Sequence, residues 1–379
     1  MTPRADKAMH AVTAAVSRRG KAHFCIETLS LEDPRPNEVL VQFTAAGLCH
    51  TDLEVAAGNL PTPLPVVAGH EGAGVVRAIG SAVTGFHPGD RVIASFSFCG
   101  TCHNCLRGLP AYCPQHFPLN FGAQRSDGSS GLRDAAGEPV RDHFFGQSSF
   151  AGHSLCRPSS LIRVPETSLP DHVLAPLGCG IITGAGAVWN SLRVTPGSTV
   201  AVFGAGSVGL SAVMAAAVAG AARIIVSDPL SSRLDLAARL GATDLLDTKA
   251  TSAAAAIREL TGGIGVDFSV ESTGKPHVMA DAVAALAPLG SAAILGVAPP
   301  DADLSINAFA LLAGRTVTGS IVGHQAPAVL VSRILQLNRQ GRFPFELLVR
   351  TYRLDDINTA VDDVRSGAAI KAVLIHGPA

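Results

Sequence analysis

Charge is scarce in this chain. Only 16% of its 379 residues are Asp, Glu, Lys or Arg, and they balance to a formal net charge of −1. With neither sign in excess, no nucleic acid and no anionic membrane surface is an expected partner. The N-terminus, Met1-Thr2-Pro3-Arg4-Ala5-Asp6, lacks the apolar stretch of a secretory signal. Internal repeats and low-complexity tracts are missing too, apart from Ala-rich helical stretches. One uncharged segment, Val194 to Ala222, is long enough on paper to span a bilayer. Pro196-Gly197 opens it and Gly204, Gly206, Gly209 and Gly220 interrupt it, so a buried strand, a turn and a buried helix explain it better. The 47% of apolar residues suffices for a large core in two or three domains. A soluble, cytoplasmic protein is expected.

Cysteine is sparse as well, eight in all, yet six stand where metal ligands stand. Cys99, Cys102, Cys105 and Cys113 follow the spacing C-x2-C-x2-C-x7-C. Four thiolates on such a loop wrap one tetrahedral zinc and leave no open position, the mark of a structural site. A disulfide framework is the alternative, and a long chain without a secretory signal disfavours it. Cys49 lies in Gly47-Leu48-Cys49-His50-Thr51-Asp52, His70 in Gly69-His70-Glu71-Gly72 and Cys179 in Gly178-Cys179-Gly180. Two thiolates and an imidazole form a three-ligand set that keeps a fourth position open, as catalytic zinc requires. Taken singly, His70 reads equally as a core histidine and Cys179 as a small buried hydrophobe. Cys25 and Cys156 have no such setting and are assigned to packing.

The second half carries a different signal. Val200-Ala201-Val202-Phe203 reads as a strand covered on both faces, followed by Gly204-Ala205-Gly206-Ser207-Val208-Gly209 and an Ala-rich helix to Ala219. Arg223 to Asp228 is a second strand ending on an acid. This is the G-x-G-x-x-G dinucleotide fingerprint in its strand–turn–helix–strand context. Gly204 permits the turn, Gly206 lets backbone approach a pyrophosphate, and Gly209 lets helix pack on strand. Asp228 is placed to accept from the adenosine ribose hydroxyls, and its charge repels a 2′-phosphate, favouring NAD over NADP. Arg233 is either a cofactor contact or a solvated helix charge. Further strands are expected at Asp244–Leu246, Val266–Glu271 and Ser291–Val297, with helices at Leu234–Leu240 and Ala280–Leu286. The fold class is α/β with a doubly wound parallel sheet. Short β-type runs at Glu38–Phe43, Gly74–Ile79 and Arg91–Ala94 give the N-terminal half a barrel-like, mainly β character.

With these pieces in order, the chain resembles the zinc-containing medium-chain alcohol dehydrogenases over nearly its whole length. His143-Phe144-Phe145-Gly146-Gln147-Ser148-Ser149-Phe150, after a long insert, looks most like the aryl (benzyl) alcohol branch. The resemblance implies a GroES-like catalytic domain, residues 1–180 resumed at 322–379, with a zinc lobe at about 95–117. It also implies a Rossmann domain at 181–321, with the active site in the cleft between the two. On this reading Cys49, His70 and Cys179 hold a catalytic zinc, and Cys99, Cys102, Cys105 and Cys113 a structural one. Asp52 orients His70, Glu71 lies close to the metal, and Thr51 takes the alcohol proton. His50 and Lys371 meet the cofactor pyrophosphate, while Thr183 and Val208 pack near the nicotinamide. Leu60, Phe96, Phe144, Phe145, Val297 and Ile321 line the substrate pocket. One departure stands out: where many relatives end the proton relay in histidine, this chain has Glu54.

The implied reaction is oxidation of an alcohol to the aldehyde with hydride transfer to NAD. Three phenylalanines in the pocket favour a flat aryl or allylic alcohol over ethanol. A glutathione-adduct (formaldehyde dehydrogenase) activity is the alternative, and it requires cations at the pocket mouth. A terpenoid alcohol such as geraniol is not separable from a benzylic one at this level. The apolar stretch Ala308–Val322 is expected to supply an edge strand for a homodimer or homotetramer.

Overall fold

The computed structural model describes residues 9–21, 23–248, 252–299 and 301–377. Two compact units emerge. One comprises the residues up to Cys179 together with those from Val349 onward, and the other is Gly180–Leu348. Residues 322–348 therefore group with the second unit, not with the first as expected from sequence. The cause is local packing. Gly323 sits on the carbonyl of Ile182, and Asn190 Nδ2 donates to the Gly323 carbonyl at 2.8 Å. The helix Pro327–Arg339 then buries Leu330, Val331, Ile334 and Leu335 beside the helix Gly180–Gly186.

The first unit is mainly β. A five-stranded sheet runs in the order Val66–Val67, Met9–Ser17, Cys25–Glu32, Leu132–Arg133, Pro139–Val140. The second sheet runs Leu161–Arg163, Arg91–Ala94, Gly72–Ile79, Val39–Gly47, Lys371–Ile375, Val349–Arg353. Val39–Gly47 alternates buried Val39, Val41 and Phe43 with half-buried neighbours, the period-two pattern of a sheet with one face on a core. Those side chains pack with Val76, Val92, Ala94, Cys156 and Leu161. Chain return matters here: Val373 pairs with Gly47, and Leu48 N donates to the Ala372 carbonyl at 2.9 Å. That pairing brings Lys371 to the loop that carries Cys49.

The second unit is a six-stranded parallel sheet in the order Asp244–Asp247, Arg223–Asp228, Thr199–Phe203, Val266–Glu271, Leu286–Ile294, Thr316–Gly319. Helices Ser207–Val218, Ser231–Arg239, Ala253–Leu260 and Pro276–Ala284 connect its strands. The uncharged segment resolves into the strand Thr199–Phe203 and the helix Ser207–Val218, as its glycines require. Two expectations shift. The helix expected to reach Leu286 ends at Ala284, and Leu286 instead opens the next strand, whose last residue is Ile294 and not Val297. Of Ala308–Val322, only Thr316–Gly319 is an edge strand; Ala308–Leu311 is a helix. Among the described residues, no single helix is long and apolar enough to cross a membrane.

Candidate metal centre and dinucleotide site

In the first unit the helix His50–Ala56 begins with Cys49 as its cap. Asp52 returns a hydrogen bond from the third helical position, accepting from Cys49 N at 3.0 Å. This reciprocal cap fixes ligand and carboxylate within one turn. The other oxygen of Asp52, fully buried, accepts from Gly69 N at 3.0 Å and from His70 Nδ1 at 2.9 Å. With Nδ1 held as the donor, Nε2 keeps its lone pair. Nε2 is buried and has no hydrogen-bond partner among the described residues. It lies with the thiols of Cys49 and Cys179 and a Glu71 oxygen in a cluster whose ligand atoms all fall within 4.8 Å of one another. A buried, unsatisfied imidazole nitrogen between two thiols is costly unless an ion completes it, so the donor set fits zinc.

Electrostatics within the set point the same way. Hydrogen bonding with Cys179 draws the Cys49 thiol well down, and the same bond together with burial pushes Cys179 well up. A thiol drawn down in this way leans towards the thiolate that metal ligation requires. Close approach is enforced by small residues. A Cβ on Gly47 would stand 2.1 Å from Glu71 Oε2, and one on Gly178 2.2 Å from the Ala94 carbonyl. Gly69 adopts φ +89°, the left-handed conformation that turns the chain into His70.

Glu71 and Lys371 form a buried ion pair. Lys371 Nζ donates to Glu71 Oε1 at 2.7 Å and to the Leu48 carbonyl at 3.1 Å. Burial lifts the Glu71 carboxyl to about 7 against the pull of Lys371. The ammonium, disfavoured by its own burial, is raised to about 12 by Glu71 and Cys49. Lys371, 2% exposed, is a partner of Glu71 beside the candidate donor set. His50 remains largely exposed and pairs with Glu54 at 3.1 Å; Glu54 also accepts from Asn59. Thr51 Oγ1 stands 3.9 Å from Cys49 Sγ, at the rim of the set.

The aromatic residues divide. Phe145 stacks on His70 with ring centroids 4.5 Å apart, and Phe144 meets the same imidazole edge-on at 5.8 Å. Phe121, which sequence reasoning did not single out, closes the cluster 5.1 Å from Phe145 and 6.0 Å from Phe144. Phe96 is buried too but packs against Phe98 and His116. Leu60 lines a different cavity of about 710 Å³ with Phe24, Leu53 and Val361, whose walls include no metal ligand and none of these phenylalanines. Val297 and Ile321 are exposed residues of the second unit.

The four lobe cysteines also converge within 4.8 Å. Backbone N–H groups turn inward, Cys102 N to Cys99 Sγ at 3.3 Å and Cys105 N to Cys102 Sγ at 3.5 Å. Such donors favour thiolates, and those of Thr101 and Cys102 bring the Cys99 thiol down to about 6. None of the eight cysteines is in a disulfide.

In the second unit the fingerprint turn has the geometry its glycines imply. Gly204 adopts φ +91°, and a Cβ on Gly209 would meet the Gly204 carbonyl at 1.8 Å. Gly206 differs: a Cβ there would meet no protein atom within 4 Å. Nothing in the protein's own packing demands glycine at that position, whereas a pyrophosphate drawn against the helix N-terminus does. Asp228, 3% exposed, accepts from Ala205 N at 2.8 Å and from Leu230 N at 2.9 Å, tying the acid to the turn. Arg233 reaches the same carboxylate at 3.8 Å and is no freely solvated charge. Val208 is half-buried on the first turn of that helix and Thr183 is buried in the helix Gly180–Gly186.

A mainly β unit with a Cys2His donor set, joined to a parallel sheet with a dinucleotide turn, defines a two-domain oxidoreductase. Two family descriptions match the chain, "Alcohol dehydrogenase GroES-like domain" over residues 35–166 and "Zinc-binding dehydrogenase" over residues 207–336. A geraniol dehydrogenase from Castellaniella defragrans is 44% identical over 365 residues, 96% of this chain and 97% of the relative. A crystal structure of an alcohol dehydrogenase zinc-binding domain protein from Burkholderia ambifaria superposes with TM-score 0.94 at 48% identity, covering 98% of this chain and all of that one. Benzyl alcohol dehydrogenase from Acinetobacter calcoaceticus does so with TM-score 0.92 at 42% identity, covering 97% of this chain and all of its own. The chain belongs to the zinc-binding medium-chain alcohol dehydrogenase family.

Proposed function

We propose that this protein oxidises primary aryl or allylic alcohols to aldehydes reversibly, with NAD as hydride acceptor and two zinc ions per chain. The observation that carries the reading is the stack of Phe145 on His70: a flat aromatic wall stands 4.5 Å from the imidazole of the open donor set. Cys49, His70 and Cys179 would hold an ion that supplies Lewis acidity towards an alcohol oxygen, while the nicotinamide supplies the hydride-accepting carbon. Every other task falls to side chains. Asp52 keeps Nε2 of His70 available by occupying Nδ1. Thr51 takes the alcohol proton, and the His50–Glu54 pair passes it towards solvent where many relatives use histidine. Lys371 neutralises Glu71 so that a buried carboxylate can stay beside two thiols. Gly206 leaves space for a dinucleotide pyrophosphate, and the charge of Asp228 favours NAD over NADP.

A longer allylic alcohol of the geraniol type is the second reading, favoured by the 44% identity to a geraniol dehydrogenase. The assembly proposed is a homodimer or homotetramer. Leu289, Phe309 and Leu312 are about four-fifths exposed, Leu289 N donates to the Ala313 carbonyl, and the edge strand Thr316–Gly319 follows directly. Apolar side chains beside an unpaired strand edge are what a second copy of the same surface would cover. Following NAD reduction by absorbance across benzylic, allylic, aliphatic and glutathione-adduct alcohols tests the reaction. Benzylic and allylic substrates are expected to give the highest kcat/KM; no turnover with any alcohol would remove the assignment.

A further inference from the structure

Behind the aromatic wall lies a buried charge cluster to which the reaction assigns no part. Glu38, Arg125, Asp142 and His143 are all under one-tenth exposed, and Glu32 sits at their edge. Arg125 Nε donates to Glu38 Oε1 at 2.6 Å, Arg125 Nη2 to Glu38 Oε2 at 3.0 Å, and Arg125 Nη1 to Glu32 at 3.1 Å. His143 bridges this cluster to the wall. Its Nδ1 lies 2.7 Å from Asp142 Oδ1 and its Nε2 3.2 Å from Glu38 Oε1. Asp127, two positions from Arg125 in sequence, pairs instead with Arg35.

The two residues after His143 are the wall itself, and their backbone is strained. His143, Phe145 and Ser148 adopt φ of 60°, 53° and 53°, a left-handed region that bulky residues enter only when their surroundings impose it. From one side the loop is strapped to the segment that carries His70. Ser148 Oγ donates to the Val67 carbonyl at 2.6 Å, and Ser149 N to the Gly69 carbonyl at 3.0 Å. Gln147 accepts from Gly72 N at 3.0 Å and donates to the Ser95 carbonyl at 2.6 Å. At the other end, the His143 imidazole gripped between Asp142 and Glu38 is the anchor.

We propose that His143, held by Glu38 and Asp142, is a positioning residue for substrate selection: it pins the left-handed turn that lays Phe145 flat on His70 and so sets the preference for planar aromatic alcohols. The idea rests on the reading given under Proposed function and assigns the specificity of that site to a cluster outside it. The groups around the imidazole are Glu38 and Asp142 directly, Arg125 and Glu32 behind Glu38, and Arg157, whose charge acts on the same two carboxylates; the Cys156 thiol, pushed well up by burial and by those carboxylates, stays neutral. Burial disfavours the imidazolium, but Asp142 and Glu38 outweigh it and raise His143 to about 8. The grip is therefore an ion pair near neutrality and weakens in alkali.

The test compares kcat/KM for benzyl alcohol with that for 1-hexanol in the wild type, Glu38→Gln, His143→Asn and the double variant, each checked for zinc content and circular dichroism. Asn tolerates left-handed backbone, so His143→Asn removes the grip with little cost to the turn. Each variant is expected to lower the aryl-to-alkyl ratio by roughly tenfold, the scale set by loss of one well-fitted apolar contact. The double variant should lower it no further than either single one, since both act through one contact. Shared ionisations of the chemical step cancel in this ratio, so its decline in the wild type as pH rises through about 8 is a readout that bulk destabilisation would not give. An unchanged ratio in folded, zinc-replete variants, or a wild-type ratio flat across that pH range, would overturn the proposal alone. Absence of turnover by the wild type with every alcohol would remove it together with the proposed function.

Discussion

Asp52 shows how much of this site hangs on one carboxylate. It caps the helix that starts at Cys49, bonds the amide of Gly69 and fixes the tautomer of His70, all while fully buried. Replacing it with Asn keeps the shape but removes the charge that makes Nε2 a strong donor. Asp52→Asn is expected to weaken zinc binding at that centre by about 10- to 100-fold. Competition with a chromophoric chelator measures it, and an unaltered affinity would show that Asp52 only shapes the loop. At this scale the sequence foretold which side chains converge where residue type and spacing decide it, as with Cys49, His70 and the lobe cysteines. It was read poorly where the partner is remote. Lys371 and Glu71 lie 300 positions apart, and no local pattern announces that the lysine is buried against the acid.

Among the elements, the loop 143–150 draws its conformation from tertiary contacts. Nothing local favours a left-handed Phe145, and His143 lies 105 positions from its partner Glu38. Sequence could flag the Phe-Phe pair but not Phe121 or the cluster beneath. That cluster has a stability signature. Because His143 is raised from 6.5 to about 8 on folding, its contribution is complete below pH 6.5 and is lost as pH rises through 8. The shift corresponds to about 2 kcal/mol. Denaturant unfolding at pH 6 and pH 9 should show His143→Asn losing less stability with alkali than the wild type by that margin. Equal losses in both proteins would mean that the imidazole is not charged in the folded state. The strands of the second unit, by contrast, were legible because fully buried parallel strands read as short apolar runs between glycines.

For the molecule as a whole, the order of motifs gave both units. The late boundary was missed because the glycine at 323 and the helix Pro327–Arg339 are held by packing on Ile182 and its helix, not by any change in composition. The exposed Phe309 and Leu312 beside an edge strand lead to an expected mass of two or four subunits by light scattering; a monomer of 38.8 kDa would contradict that. Zinc stoichiometry reaches the centre of the proposal more directly than any other number. Elemental analysis is expected to find two ions per polypeptide in the wild type and one in Cys49→Ser, with dehydrogenase activity lost alongside the missing ion. One ion in both proteins, or full activity in the variant, would mean that Cys49, His70 and Cys179 do not hold a catalytic metal.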